Sequence, residues 1–281
     1  MTYLIHGATG AQGGPVVAAL RKAGKNVTAA VRNPSAYDGD AVAVDFNSVA
    51  SLEEAYRGVE GVFVHLPIGT AQQQLAYAQT IVDAVTSAQP ARVIASTSGY
   101  RADTTDDAGD DAASVLVRGL MASGVSVAIV EPRLYLENLF LPVVIGPLRE
   151  DGVLRYPIRD DYRVSWSSHL DIADVVVRLF AQPEVTGVVT VGALPGLVGD
   201  DLAAGFGGHL GRDVSFEAQH PDDFSALITP LFGEAGAEPV VASYRWRFTQ
   251  PGEEIEAEQS AQQRLGIKPR SIEQWLRDVR A

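Results

Sequence analysis

The chain has 281 residues, 46% of them hydrophobic, which is enough for one large domain or for a main domain with a smaller partner. Its formal net charge of −13 disfavours nucleic acid and anionic membranes as partners, because both would repel it. The absence of cysteine excludes disulfides, thiolate catalysis and cysteine-based metal sites. With no basic and apolar leader and no apolar run near ~18 residues, we expect a cytoplasmic protein that does not enter a membrane.

The chain opens with a short apolar strand that runs into a glycine-rich turn. The strand Tyr3–His6 is followed by Gly7, Gly10 and Gly13, and then by an apolar-periodic helix over Gly14–Ala23. The first glycine permits a tight turn, the second lets a diphosphate approach the backbone, and the third lets the helix pack on the strand. The free N–H groups at the start of the helix attract phosphate. The spacing therefore predicts a dinucleotide site at this turn.

Apolar strands and helical stretches alternate as far as Pro132. Buried β-branched strands between helices are typical of a parallel sheet covered on both faces, and right-handed crossovers favour a doubly wound topology. A later helix is predicted over His169–Phe180 and a later strand over Gly187–Val191. The other predicted strands are Val27–Val31, Ala41–Val44, Val62–Leu66, Arg92–Ser96 and Val125–Val130, and the other predicted helices are Ser51–Arg57, Ala71–Ala88 and Asp111–Ser123.

The predicted fold class is α/β, with a Rossmann-type doubly wound parallel sheet and a smaller C-terminal lobe on the substrate side. We expect the dinucleotide-binding domain to take residues 1–132 and roughly 166–193, and the smaller lobe to take 133–165 and 194–281. Two segments have the form of a capping box, one beginning at Ser51 and one at Ser271. The second box opens a helix whose apolar face includes Trp275.

The end of the second strand carries a second cofactor signal. An acidic residue at this point accepts hydrogen bonds from a ribose 2′-hydroxyl, whereas an arginine accommodates a 2′-phosphate. Here Arg32 follows Val31, and no acid occurs before Asp38. We therefore expect NADP (as NADPH) to be preferred, with NAD still possible.

Two residues after the third strand are predicted to lie near the adenine ring. The Asp45 carboxylate can accept a hydrogen bond from the adenine amino group, while Phe46 can pack either on the ring or on the core. The complete set of predicted cofactor-binding residues is Gly7, Thr9, Gly10, Gln12, Gly13, Arg32, Asp45, Phe46, Leu66, Pro67 and Ser96.

These motifs together resemble the NmrA-like family of atypical short-chain dehydrogenase/reductases. The resemblance rests on the glycine turn, Val31–Pro34, Asp45-Phe46, Gly58–Phe63 and Glu131–Asn138, and it extends to Asp171–Asp174 and the C-terminal Trp275-Leu276. It implies an NAD(P)H-binding protein. Members similar to this chain include quinone reductases, reductases of azo or triphenylmethane dyes, phenylpropanoid ether reductases, and regulators that bind the nucleotide without turning it over.

The usual proton donor of short-chain dehydrogenases is missing. In a Tyr-x-x-x-Lys pair the lysine lowers the pKa of the tyrosine, which then protonates the developing alkoxide. The only lysines are Lys22, Lys25 and Lys268, so none can occupy the catalytic helix. Family members that keep a lysine place it near the position of Ala113, where this chain is acidic. Carbonyl–alcohol chemistry, and the epimerase or dehydratase reactions that use the same pair, are therefore disfavoured.

Hydride transfer to a quinone-like or other conjugated small-molecule acceptor avoids this objection, because the resulting oxyanion is weakly basic. It requires orientation of the nicotinamide and a flat pocket with aromatic and aliphatic walls. The catalytic residues stay unknown, with Tyr100 and His65 as weak candidates. Predicted substrate-binding residues are Tyr100, Tyr135, Asn138, Phe140 and Trp166, although Phe140 and Trp166 can equally close the core.

The remaining titratable residues favour structural roles. His6 is interpreted as a core histidine with its hydrogen bonds satisfied, and His169 as a helix-opening residue. The acids Asp106, Asp107, Asp110 and Asp111 form a solvated run before a helix, and no spacing indicates a metal site. The alternative function is a non-catalytic NADP(H)-binding redox sensor that acts through a protein partner. The oligomeric state, monomer or homodimer, stays open.

Overall fold

The computed structural model describes residues 2–101, 109 and 111–279. The strands are β1 (Tyr3–His6), β2 (Val27–Val31), β3 (Ala41–Ala43), β4 (Gly61–His65), β5 (Val93–Ser96), β6 (Val127–Pro132), β7 (Leu134–Tyr135), β8 (Val153–Tyr156), β9 (Arg163–Val164), β10 (Trp166–Ser167), β11 (Gly187–Val191), β12 (Ser215–Ala218) and β13 (Gly252–Glu253). The helices are α1 (Gly13–Lys22), α2 (Val49–Tyr56), α3 (Ala71–Ala88), α4 (Ala112–Ala122), α5 (Pro142–Asp151), α6 (His169–Ala181), α7 (Gly199–Leu210), α8 (Pro221–Thr249), α9 (Ala261–Leu265) and α10 (Ile272–Asp278).

These elements form two compact units. The first takes Met1–Pro132, His169–Val191 and Ala257–Ile267, and the second takes Arg133–Ser168, Gly192–Glu256 and Lys268–Ala281. The sequence assigns residues 257–267 to the smaller lobe, whereas they cluster with the first unit. The physical reason is contact with β11: Ser260 forms a β-bridge with Thr190, and the Arg264 guanidinium donates to the Val188 carbonyl at 2.6 Å.

The first unit contains a parallel sheet of seven strands in the order β11-β6-β5-β4-β1-β2-β3. Strand order reverses between β1 and β4, so their carboxyl ends flank the switch point where open α/β sheets bind ligands. The predicted α/β class with a doubly wound parallel sheet is confirmed. Helices α2, α3 and α4 bury apolar side chains against the sheet, including Leu52, Ile81 and Leu120.

The start of α2 differs from the prediction. The helix begins at Val49, and its N-cap is Ser48, whose hydroxyl accepts from the Ser51 N–H at 3.3 Å. The predicted cap, Ser51, instead accepts from the Asp45 N–H at 3.1 Å. Serine occupies both candidate positions, and the backbone of the preceding turn decides which one caps. At the C-terminus Ser271 does cap α10, accepting from the Gln274 N–H at 3.2 Å.

The second unit is built from short parallel ladders and helices. Strand β7 pairs with β10, β8 with β12, and β9 with β13. Its core is strongly aromatic and contains Tyr156, Trp166, Phe206, Phe224 and Trp275. Helix α8 consists of two helical segments that meet at Gly233, where the backbone is not helical, with φ 71° and ψ 165°. No helix within the described ranges is long and apolar enough to cross a membrane.

Candidate dinucleotide site

The turn after β1 has a backbone that only glycine accommodates at two points. Gly7 adopts φ +63°, and a Cβ built there would lie 2.4 Å from Nε2 of His65. A Cβ built on Gly13 would lie 2.3 Å from the Gly7 carbonyl oxygen and 2.4 Å from that of His6. The Gly10 N–H closes the turn on the Gly7 carbonyl at 2.8 Å. The turn thus brings α1 directly onto the end of β1.

The N-terminus of α1 has no side-chain cap. Its N-cap residue is Gln12, and no side-chain hydrogen bond reaches the first-turn N–H groups. An N-cap side chain normally satisfies one of these donors. Within that turn the Gly14 N–H already donates to the Gly10 carbonyl at 3.0 Å, and Pro15 has no N–H. Among the described residues, the Gly13 N–H and the positive end of the helix dipole are left for another acceptor. This arrangement fits an anionic ligand at the sheet edge where β1 ends.

Arg32 follows β2 directly and is exposed. Among the described residues its guanidinium has no hydrogen bond or ion pair. Close by in sequence, the Ser35 hydroxyl donates to the Asn33 side-chain oxygen at 2.7 Å. An unengaged guanidinium retains its full set of five donors for a phosphate.

The two residues predicted to lie near adenine are both engaged locally. The Asp45 carboxylate accepts from the backbone N–H and the side-chain amide of Asn47, each at 2.9 Å. These contacts, the backbone one first, hold the pKa of Asp45 below its ordinary value. Phe46 is half-buried, with its ring centroid 5.0 Å from that of His6 and 5.7 Å from that of Tyr77. Phe46 thus packs against the core while staying half-buried, and its contact with an adenine ring stays a prediction.

Three histidines lie near the turn. His6 is 1% exposed, its Nε2 is 3.0 Å from the Tyr56 hydroxyl, and its Nδ1 has no partner among the described residues. Burial, and secondarily the His65 imidazole, lower the pKa of His6 to about 3. Burial and the same neighbour lower the pKa of His169, the first residue of α6, to about 4. Both imidazoles are therefore neutral at pH 7.

His65 is the histidine that faces the turn. Its Nδ1 is 3.2 Å from the Leu66 carbonyl oxygen, and its ring is half-buried over Gly7. Burial lowers the pKa of His65, although the hydrogen bond to Leu66 opposes that shift. The neutral ring leaves His65 poorly suited to act as a general acid at neutral pH. Leu66 and Pro67 follow it, half-buried, and the Pro67 carbonyl accepts from the Gln74 amide at 3.2 Å.

Gln12 and Ser96 meet side chain to side chain. The Ser96 hydroxyl donates to the Gln12 amide oxygen at 2.8 Å, and the Gln12 amide nitrogen donates to the Ser98 hydroxyl at 2.9 Å. The prediction named the first two residues but missed Ser98. The available signal was Ser98-Gly99, a dipeptide typical of turns, directly after β5. Thr9, also predicted to bind the cofactor, is exposed.

The predicted substrate residues fall into two groups. In the first unit Tyr100 is 60% exposed, and its N–H donates to the Thr97 carbonyl at 3.2 Å. In the second unit Trp166 is 1% exposed and packs edge-on against Tyr156, while Phe140 stacks on Trp275 with centroids 4.6 Å apart. These contacts correspond to the core-closing alternative that the sequence left open for Phe140 and Trp166.

The other two residues of the second group lie at the start of that unit. Tyr135 belongs to β7 and is half-buried. Asn138 is also half-buried, and its side chain hydrogen-bonds to the hydroxyls of Tyr156 and Tyr244, which themselves pair with each other.

The acidic run before α4 is described only in part. Asp106, Asp107 and Asp110 lie outside the described residues. Asp111 is the N-cap of α4, and its carboxylate accepts from the N–H groups of Ala113 and Ser114 at 3.1 and 3.0 Å. No group of three or more potential metal ligands occurs among the residues that the structure covers.

The strand order and the glycine turn define a Rossmann-type α/β protein. The chain belongs to the NmrA-like family, whose model matches residues 1–276. The family predicted from the motifs is therefore confirmed. No curated protein matches the sequence significantly.

Several solved structures are similar over essentially the whole chain. A triphenylmethane reductase from Citrobacter sp. has a TM-score of 0.79 at 16% identity, with 100% of both chains covered. A nucleoside-diphosphate-sugar epimerase from Staphylococcus aureus has a TM-score of 0.76 at 20% identity, covering 98% of this chain and 99% of that one. An NADPH-dependent quinone oxidoreductase from Escherichia coli, complexed with NADPH, has a TM-score of 0.71 at 18% identity, with 100% of both covered. At these identities the similarity shows a shared fold.

Proposed function

We propose that the protein is an NAD(P)H-dependent oxidoreductase that transfers a hydride to a quinone-like or other conjugated small-molecule acceptor. The observation that carries the proposal is the uncapped N-terminus of α1 behind the Gly7–Gly13 turn. A dinucleotide diphosphate would supply an acceptor for the Gly13 N–H and negative charge at the positive end of this helix. Leu66, Pro67 and Ser96 follow or end the neighbouring strands β4 and β5 and extend the proposed site along the sheet edge.

NADPH is the cofactor that these residues fit best. The exposed Arg32, with no partner among the described residues, provides a guanidinium for a 2′-phosphate. The Citrobacter reductase was also crystallised with NADP(H), and the Escherichia coli oxidoreductase with NADPH. NAD remains a second, weaker ligand, because an arginine does not exclude it.

The proposed chemistry depends on orientation more than on proton transfer. When bound, the cofactor supplies a hydride from its nicotinamide ring. The chain contains Lys22, Lys25 and Lys268 and no other lysine, so α4 cannot lower the pKa of a tyrosine in the usual way. His65 is neutral and half-buried. The protein is thus suited to acceptors, such as quinones and conjugated dyes, whose reduced form does not need a strong acid to protonate it. The exposed Tyr100 is a candidate contact for such an acceptor.

The same missing lysine favours the alternative, an NADP(H) sensor without turnover. Measuring NADPH oxidation against a panel of quinones and triphenylmethane or azo dyes separates the two functions. We expect at least one acceptor to raise the rate well above background, and NADPH to support a higher rate than NADH. Tight binding of NADPH with no acceptor above background would contradict the enzymatic proposal and support the sensor.

A further inference from the structure

The side-chain amide of Gln12 connects two loops of the first unit. Its oxygen accepts from the Ser96 hydroxyl at 2.8 Å, and its nitrogen donates to the Ser98 hydroxyl at 2.9 Å. The ring is closed by the Ser98 N–H, which donates to the Ser96 hydroxyl at 3.2 Å. Gln12 is 9% exposed and Ser96 is 2% exposed. We call these three residues the Gln12–Ser96–Ser98 clasp.

The orientation of the amide follows from the hydrogen-bond inventory. Ser96 has one proton to donate, and its oxygen already accepts from the Ser98 N–H. If the amide were reversed, the Ser96 oxygen would receive a second donor and its own proton would be buried without an acceptor. That loss costs about 1–3 kcal/mol. The observed orientation therefore gives the buried Ser96 proton an acceptor.

The clasp spans three strand ends. Gln12 lies in the turn after β1, whereas Ser96 ends β5, and β4 lies between these two strands in the sheet. Ser98 has a left-handed backbone with φ +57°, and Gly99 follows with φ +96°. A left-handed conformation is unfavourable for serine, so the hydrogen bonds of the clasp must hold it. The loop that leads to Tyr100 is therefore tied to the glycine turn.

We propose that Gln12 acts as a positioning residue, which holds the phosphate-binding turn in place through Ser96 and Ser98 and does not itself contact the cofactor. Two observations carry this assignment. Both ends of its amide are used inside the protein, and although Gln12 is the N-cap residue of α1, its side chain makes no capping hydrogen bond to the helix. The proposal rests on the proposed dinucleotide-binding function.

Fluorescence titration measures the affinity for NADPH and tests the clasp with two single variants and their double variant. Gln12→Met keeps the length of the side chain without its hydrogen bonds, and Ser96→Ala removes the central hydroxyl. Each should weaken NADPH binding by about tenfold, the effect of one buried hydrogen bond. The double variant should lose no more than the weaker-binding single variant, since both changes break one unit. Gln79→Met is the matched control, because Gln79 bonds only Asp83 on the exposed face of α3, and it should bind as the unaltered protein does.

Ser98→Gly separates positioning from stability. Glycine relieves the left-handed strain while it removes the acceptor of the Gln12 amide. We expect a melting temperature close to that of the unaltered protein together with a several-fold weaker affinity for NADPH. A residue with a merely structural role would change both quantities together or neither.

Two outcomes would overturn the proposal. If Gln12→Met weakens binding while Ser96→Ala and Ser98→Gly leave it unchanged, Gln12 contacts the cofactor directly. If the effects of Gln12→Met and Ser96→Ala multiply in the double variant, the residues act independently.

Hydrogen exchange distinguishes failure of the clasp from failure of the proposed function. In protein without any nucleotide, Gln12→Met should accelerate amide exchange both in residues 7–14 and in residues 96–101. Faster exchange in only one segment, or in neither, contradicts the clasp even if the unaltered protein fails to bind NADPH. Coupled exchange without NADPH binding would instead retain the clasp and contradict the proposed function.

Discussion

The two units of the molecule are organised by contacts of different range. In the first, many strands that follow one another in sequence pair directly, as β1 with β2 and β4 with β5, whereas β1–β4 and β6–β11 pair across intervening strands. In the second, Val153 pairs with Ser215 and Arg163 with Gly252. Local patterns and the handedness of crossovers are therefore enough to predict most of the first unit, whereas the second depends more on partners that no local pattern reveals.

Substitution of Trp275 tests how far the stability of the second unit depends on its aromatic core. It is fully buried, stacks on Phe140, and donates from Nε1 to the Glu137 carboxylate at 3.1 Å. Trp275→Ala should lower the free energy of unfolding by about 3–5 kcal/mol. Trp246→Ala is the control, because Trp246 is 53% exposed, and should cost less than about 1 kcal/mol. Urea unfolding followed by circular dichroism measures both, and equal losses would contradict this account of the core.

The glycine turn offers the corresponding test in the first unit. A Cβ on Gly13 would lie 2.3 Å from a backbone oxygen, whereas a Cβ on Gly14 would lie at an ordinary 3.5 Å from the Ala8 oxygen. Gly13→Ala should therefore destabilise the protein by about 3 kcal/mol. Gly14→Ala should be neutral or slightly stabilising, since alanine is the better helix former. Similar unfolding midpoints for the two variants would show that the turn is not close-packed.

Acid should weaken the first unit through His6. The unfolded chain binds a proton there below about pH 6.5, its ordinary pKa, but the folded protein only below about pH 3. The unfolded state thus takes up the proton first, and stability falls as the pH drops through that window, by about 2 kcal/mol between pH 7 and pH 5. His6→Gln should remove that part of the pH dependence, while His220→Gln, at an exposed site of the second unit, should not. If His6→Gln loses as much free energy of unfolding between pH 7 and pH 5 as the unaltered protein does, the burial argument is contradicted.

The sequence predicts the elements of the first unit closely, because each strand and helix carries its own periodicity and its own turn residues. Strand β11 and helix α3 have their predicted bounds. The errors arise where two local solutions compete, as with Ser48 and Ser51 at the start of α2. The unit with which residues 257–267 cluster depends on long-range pairing with β11, which no local pattern shows. In the second unit the two segments of α8 contain Pro230 and Pro239, one on each side of Gly233, and these prolines obscure the helical pattern in the sequence.

The candidate site shows the same limit. Gly7, Gly13 and Arg32 could be chosen from the sequence as candidate cofactor-binding residues. Their spacing places them at strand ends, and their residue types determine the backbone freedom and the charge available there. The role of Gln12 could not be predicted, because its amide partners lie more than eighty residues away in sequence, at Ser96 and Ser98. Burial of Trp166 depends likewise on Tyr156 and the rest of its unit.

Isothermal titration of NADPH and NADH into the unaltered protein and Arg32→Ala tests the central claim most directly. We expect the unaltered protein to bind NADPH more tightly than NADH. In Arg32→Ala, NADPH affinity should fall by about tenfold while NADH affinity barely changes, because a charge-assisted contact to the 2′-phosphate is lost. The account is contradicted if neither nucleotide binds the unaltered protein. It is also contradicted if Arg32→Ala lowers the affinity for NADPH and for NADH by the same factor.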